Sequence, residues 1–172
     1  MKMLHMTLIA AFAVALAALT IGCGGDDKPT LDEFIRKGYE LDTQHEKTAV
    51  PLRNELDAAL ADLAAGDNLS GGVKDTLTKL FDEEDHFANQ IEALDAPEAG
   101  KDIQKEAVAS LRAEVIYGRK VVDSIRENTT FGDVSGAFEN DEAVAIQTRR
   151  ESACKSIQKL ADDNNIDVDM SC

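Results

Sequence analysis

The sequence predicts an all-α protein, folded as an antiparallel up-down four-helix bundle. Apolar residues recur at spacings of three and four along four separate stretches, the period of one helix face. No stretch alternates with the two-residue period of a strand. The breaks between stretches are short and carry Gly, Pro, Asn or Asp, which makes successive helices antiparallel neighbours. Aromatic residues are few, with six Phe, two Tyr and no Trp, so the core must come from Leu, Ile, Val and Ala.

The first element opens at Thr30, with Glu33 three residues on, the spacing of a capping box. Phe34, Gly38, Leu41, His45, Thr48 and Leu52 then follow at intervals of 4, 3, 4, 3 and 4, and Leu56, Ala59, Leu60 and Leu63 carry the stripe onward. Pro51 lies inside this run. Its ring clashes with the carbonyl of Lys47 and it offers no N–H, so the helix is expected to kink near Pro51. The stripe keeps its phase across the proline, which favours one kinked helix over two.

The second element carries Val73, Leu77, Leu80, Glu84, Phe87, Ile91 and Leu94 on its seam, widened by Phe81 and Ala88. Pro97 closes it and can begin the third. That third element, from about Glu98 to Glu127, puts Gln104, Val108, Leu111, Val115, Gly118, Val122 and Ile125 on one face. The fourth is noisier: Val134, Phe138, Ala145, Ile146, Ala153, Ile157 and Leu160 lie broadly on one side. Gly136 and the polar run Asn140-Asp141-Glu142 weaken its start, which falls at Asp133 or at Asn140. The chain ends in an acidic tail, expected to be disordered; its alternating oxygens suggest at most a loose calcium contact.

Residues 1–29 differ in kind from the rest. Lys2 is the only charged residue before Asp26, and Leu8 to Ile21 is an unbroken apolar, Ala and Thr run. At about 14 residues the run is shorter than the roughly 20 that cross a bilayer as a helix. A basic start, a short apolar core and a small residue, Gly22, form the pattern of a secretory signal peptide. The stretch Leu19-Thr20-Ile21-Gly22-Cys23 resembles the lipobox of bacterial lipoproteins, with Thr20 where leucine is usual. The resemblance implies a signal peptide over 1–22, removed just before Cys23, and an acylated Cys23 as the first mature residue. Residues 23–29 then form a flexible lipid-anchored tether, and 30–172 a single domain. Gly24 stands after the cysteine, where an aspartate would favour inner-membrane retention; its absence points to the outer membrane, on its periplasmic side or at the cell surface.

The formal net charge is −15. That excludes a nucleic-acid partner, whose phosphates need a positive face, and a broad contact with anionic lipid. The expected partners are the membrane, through lipidated Cys23, and an envelope protein. With Cys23 acylated, Cys154 and Cys172 remain. In an oxidising compartment they are a candidate disulfide, which would fold the tail back along the last helix.

Two residues interrupt the apolar seams with polarity, His45 and Glu84. They fall near the middles of adjacent antiparallel helices and can face each other. A buried carboxylate needs a cation or a metal beside it, so one reading is an ion pair, with Arg149 a further partner on the same face as Glu142. The other is a metal site. Glu83-Glu84-Asp85-His86 contains Glu-x-x-His, and di-iron bundles of the ferritin-like class resemble this pattern. That resemblance implies ligands among His45, Glu83, Glu84, His86 and Glu142. His86, however, points away from the seam that carries Phe87. The scaffold is also similar to periplasmic four-helix b-type cytochromes, but the last element has no histidine and the first no methionine, so no cofactor is expected. Neither a phosphate loop nor a nucleophile set marks an enzyme.

The function expected from sequence is that of a non-enzymatic envelope lipoprotein, a scaffold or protein-interaction module. The alternative is a metal-binding bundle centred on His45 and Glu84. A third possibility, a ligand-binding bundle with an apolar cleft near the Pro51 bend, requires a cavity.

Overall fold

The structure is a computed structural model that describes residues 29–66 and 70–170. The expected signal peptide, Cys23 and Cys172 lie outside the described residues. Every regular element among those described is helical: α1 (Leu31–Ala64), α2 (Ser70–Glu92), a single 3-10 turn (Glu98–Gly100) that runs into α3 (Lys101–Ser124), α4 (Phe131–Glu139) and α5 (Asp141–Asp163). The α-helices number five among the described residues, not the four expected from sequence.

The start of α1 is the anticipated capping box. Thr30 Oγ1 accepts from the Glu33 amide at 3.2 Å, and the Glu33 carboxylate accepts from the Thr30 amide at 2.8 Å. Such a cap stabilises a helix by about 1 kcal/mol. The helix then runs unbroken through Pro51. It stops at Gly66, whose φ of +90° is a backbone state that favours glycine at helix ends.

Packing proceeds from each helix to the next. Leu63 clusters with Val73 at one end of α1 and α2, and Phe34 clusters with Ala96 at the other, so the two helices are antiparallel. The pair α2–α3 is antiparallel too. Ser70 Oγ reaches the Glu127 carbonyl at one end, and Gln104 Nε2 donates to the Ile91 and Leu94 carbonyls at the other, at 2.8 and 2.7 Å. The glutamine thereby gives the Leu94 carbonyl a partner and adds a second donor to the Ile91 carbonyl, which already accepts from the Leu94 amide at 3.2 Å. Between these ends, Gly118 lets α3 close on α2. A Cβ there would lie 2.1 Å from Phe81 Cζ.

The last expected helix is two because of Asn140. Its backbone is extended (φ −77°, ψ 167°), and its Oδ1 accepts from the Ala143 amide at 3.0 Å as the N-cap of α5. Its Nδ2 donates to the Tyr117 hydroxyl and to the Ala137 carbonyl, at 2.6 and 2.9 Å. One asparagine thus ends α4, starts α5 and ties the break to α3. A second capping box, Thr130 with Asp133, begins α4. Of the two starts read from the sequence, Asn140 is the N-cap of α5, while α4 begins at Phe131, two residues before Asp133.

The apolar core lies in three pieces along the helices. One contains Leu63, Leu77, Phe81 and Val122, a central one Phe87, Ala88 and Leu111, and the third Phe34, Ile35, Ala161 and Ile166. The third piece corrects the expectation of a disordered tail. Ile166 is buried, Asn165 turns the chain at φ 55°, and Gln158 holds the returning strand of tail by the Val168 carbonyl (3.0 Å) and the Met170 amide (2.9 Å). While α1 packs on α2, α2 on α3 and α3 on α5, α1 and α5 touch only sparsely. That gap positions the site.

Candidate functional site: a charged cluster beneath an apolar cleft

At mid-height the seam of α1 presents His45 and that of α2 presents Glu84, so the antiparallel pairing brings them together. The His45 side chain is fully buried and the Glu84 side chain is 4% exposed. His45 Nε2 lies 3.3 Å from Glu84 Oε1, and Nδ1 lies 3.4 Å from Glu83 Oε1. The ring stacks on Phe87 at 4.4 Å with 9° between the planes. With a carboxylate at each nitrogen, the arrangement suits the doubly protonated ring, which donates on both sides.

Two arginines complete the cluster. Arg150 of α5 places Nη1 3.6 Å from Glu84 Oε1 and donates to Glu114 of α3 at 2.6 Å. Arg53 of α1 forks onto Glu46, one Nη1 bond being 2.9 Å, and its Nη2 lies 3.8 Å from Glu84 Oε1. Glu84 Oε1 therefore serves three cations, whereas Oε2 is buried without a hydrogen-bond partner.

Charge states follow from these contacts. Burial opposes the charge of His45, but the hydrogen bonds and charges of Glu84 and Glu83 outweigh it and hold the ring above its ordinary value. Burial likewise opposes the Glu84 carboxylate, and His45, Arg150 and Arg53 together pull it below the usual range. Glu114 goes the other way: burial, reinforced by the Glu84 charge, raises it despite Arg150. Asp42 is also raised, by burial and by the charge of Glu46.

The space between α1, α3 and α5 is a cleft of about 1030 Å³. Phe34, Ile91, Leu94, Ile103 and Ile157 line one end, and Phe81, Tyr117, Phe138 and Ile146 the other. Asp42, Glu46, Arg53, Glu114 and Arg150 lie between the two ends. The tail contributes Asp169 and Met170 to the wall. Apolar walls around a few fixed polar groups are the usual make-up of a small-molecule site.

Of the candidate ligands, the structure brings His45, Glu83 and Glu84 together. His86 is exposed on α2, and Glu142 pairs with Lys120 at 3.0 Å on the surface. Among the described residues no three His, Cys, Asp or Glu side chains are grouped so as to hold a metal ion. Arg149 is exposed, and the inward arginine is its neighbour Arg150. The signal for Arg53 was its place seven residues after Glu46, on the same helix face. Arg150 had no such signal, because the break at Asn140 resets the helical phase. Cys154 is half-buried, with its Sγ 3.6 Å from the Met170 carbonyl oxygen. No helix among the described residues is long and apolar enough to cross a membrane. No family model matches the chain, and neither a curated protein nor a solved structure matches it.

Proposed function

We propose that the protein is a non-enzymatic envelope lipoprotein whose helical body is a ligand-binding module. In this reading residues 1–22 are removed as a signal peptide and Cys23 carries acyl chains. Residues 23–29 hold the domain near the outer membrane. The long helices α1, α2, α3 and α5 form one up-down four-helix bundle, bent in α1 at Pro51 and opened on its α1–α5 side. A Cys154–Cys172 bond pins the tail that closes one wall. An envelope protein partner would meet the outer helix faces.

The observation that carries the reading is the cleft. Its volume lies at the upper limit usual for small-molecule pockets, roughly 300–1,000 Å³. The charged cluster beneath supplies polar groups fixed by their mutual contacts, so little ordering is left to be done on binding. A scaffold with no ligand would gain more from filling this space with side chains, because unfilled apolar volume costs stability.

A neutral fluorescent probe, N-phenyl-1-naphthylamine, tests this on the full chain in lipid nanodiscs, with empty discs subtracted. Saturable one-to-one fluorescence enhancement is expected. Gly38 lines the cleft, and a Cβ there meets nothing within 4 Å, so Gly38→Trp extends into the open space without a clash. That variant should keep its helical circular dichroism and lose the enhancement. A wild-type protein with no saturable signal removes the ligand-binding reading.

A further inference from the structure

The charges in the cleft are not balanced, and the imbalance selects a ligand class. Asp42, Glu46, Glu114, Glu151 and Asp169 line the cleft, against Lys47, Arg53 and Arg150, and Glu83 and Glu84 beneath add two carboxylates against His45. Both guanidinium groups are already held, Arg53 by the Glu46 fork and Arg150 by Glu114 and Glu84. At Arg150 an anionic ligand would have to displace Glu114 and draw the guanidinium away from buried Glu84, which is costly, while Lys47, the third cation of the lining, is exposed, where pairing with an anion contributes little.

Asp42 is the opposite case. It lines the cleft, half-buried, and among the described residues its carboxylate has neither a hydrogen bond nor an ion pair. Burial and the neighbouring Glu46 both disfavour its charge. A cation placed there would relieve both. One turn earlier on the same helix, Tyr39 also lines the cleft. Residues three apart are surface neighbours, so an aromatic ring and a carboxylate adjoin the same space. That pairing is how ammonium groups are recognised, by charge and by the face of the ring.

We propose that the cleft binds an amphiphilic organic cation, its ammonium group seated at Asp42 beside Tyr39 and its apolar body lying along Phe34, Ile91, Ile103 and Ile157. This rests on the ligand-binding reading above. A metal ion fits less well, since no three donor side chains are grouped for one among the described residues.

The test compares three probes of equal chain length: hexyltrimethylammonium, hexanol and hexanoate. Each is titrated calorimetrically into the full chain in nanodiscs, with empty discs subtracted. The ammonium should bind at least about ten-fold more tightly than either of the others, a difference of about 1.4 kcal/mol. Asp42→Asn should abolish that preference and leave hexanol binding unchanged. Raising the salt concentration should weaken only the ammonium. Hexanol or hexanoate binding as tightly as the ammonium overturns the charge assignment and leaves the ligand-binding reading standing. An ammonium affinity unmoved by Asp42→Asn overturns the seat. If none of the three binds and the naphthylamine probe also fails, both readings fall together.

Discussion

His45 Nε2 and Glu84 Oε1 lie 3.3 Å apart across the α1–α2 interface, with both side chains withdrawn from solvent. Breaking such a pair from one side leaves a charge in a medium that solvates it poorly. His45→Ala removes the closest cation and the ring stacked on Phe87. Arg150 and Arg53 remain at 3.6 and 3.8 Å. The expected loss is near the lower end of about 3–5 kcal/mol, the range for one-sided removal of a buried pair. His45→Leu combined with Glu84→Leu should recover most of it, because the second change also removes the unpartnered Oε2. Urea unfolding followed by circular dichroism measures both. A double variant less stable than His45→Ala would contradict this account.

The same cluster makes stability depend on pH, with a sign set by each shift. His45 is raised, so the folded state holds its proton more firmly than the unfolded chain. Its contribution is complete below its ordinary value of 6.5 and fades as pH rises through the folded value. Glu84 is lowered, so its contribution is present above 4.5 and is lost as pH falls through the folded value. The pair therefore stabilises most between those limits. Around it stand Asp42, Glu46 and Arg53 from α1, Glu83 from α2, Glu114 from α3 and Arg150 from α5. Asp42 and Glu114 are raised, so their contributions belong to low pH and are lost as pH rises. Thermal melts from pH 5 to pH 9 should show the advantage of wild type over His45→Gln shrinking above pH 6.5. Melts extended down to pH 4 should show Glu114→Gln gaining on wild type as pH rises from 4.5 through the folded value of Glu114.

How far the sequence reached is clearest at this cluster. His45 and Glu84 were legible because each breaks an otherwise apolar seam, and antiparallel neighbours put the middles of their seams face to face. Glu114 lies beside the α3 stripe, one residue before Val115. Arg150 was not, for α5 is rich in Ala, Ser, Thr and Gln and has little contrast between its faces. Its phase could not be carried over from Val134 and Phe138 once Asn140 had broken the helix. Ile35 and Ala49, both buried, sit one residue beyond the expected stripe of α1 and serve the wider contact with its neighbours. The order of the tail rests on Ile166 and Val168 meeting α1 and α5, a long-range contact with no local signature. A cleft was legible only as a possibility near the Pro51 bend, because a repeating pattern records which residues turn inward and says nothing about whether the inward faces meet.

Gly118 is the tightest point between α2 and α3. The Phe81 ring lies against its Cα, and an added Cβ would come within 2.1 to 2.4 Å of three ring atoms. Glycine usually weakens a helix interior by roughly 0.5–1 kcal/mol relative to alanine, so helix propensity alone predicts that Gly118→Ala stabilises. The contact predicts the reverse, a net loss of about 1–3 kcal/mol from overpacking. Phe81→Leu should relieve the clash, so that Gly118→Ala costs less in that background. Denaturant midpoints for the four proteins decide between propensity and packing.

The tail gives the last prediction, because it leads directly to the remaining cysteine. Gln158 grips Val168 and Met170, and the Met170 carbonyl oxygen is 3.6 Å from Cys154 Sγ. Two further residues reach Cys172. Each residue of extended chain spans at most about 3.6 Å, and bridged cysteines have Cα atoms about 4.4–6.8 Å apart. The geometry up to Met170 thus permits a Cys154–Cys172 bond without moving α5. Trypsin should release Glu151–Lys155 and Leu160–Cys172 joined in the oxidised protein and separate after reduction. The same digest of membrane-extracted material should begin at an acylated Cys23. Reduction should lower stability by about 3 kcal/mol if closing this loop acts mainly on the unfolded chain. If both cysteines alkylate in denatured, unreduced protein, there is no bond, and the tail is held without it, by contacts that include Gln158, Ile166 and Arg36.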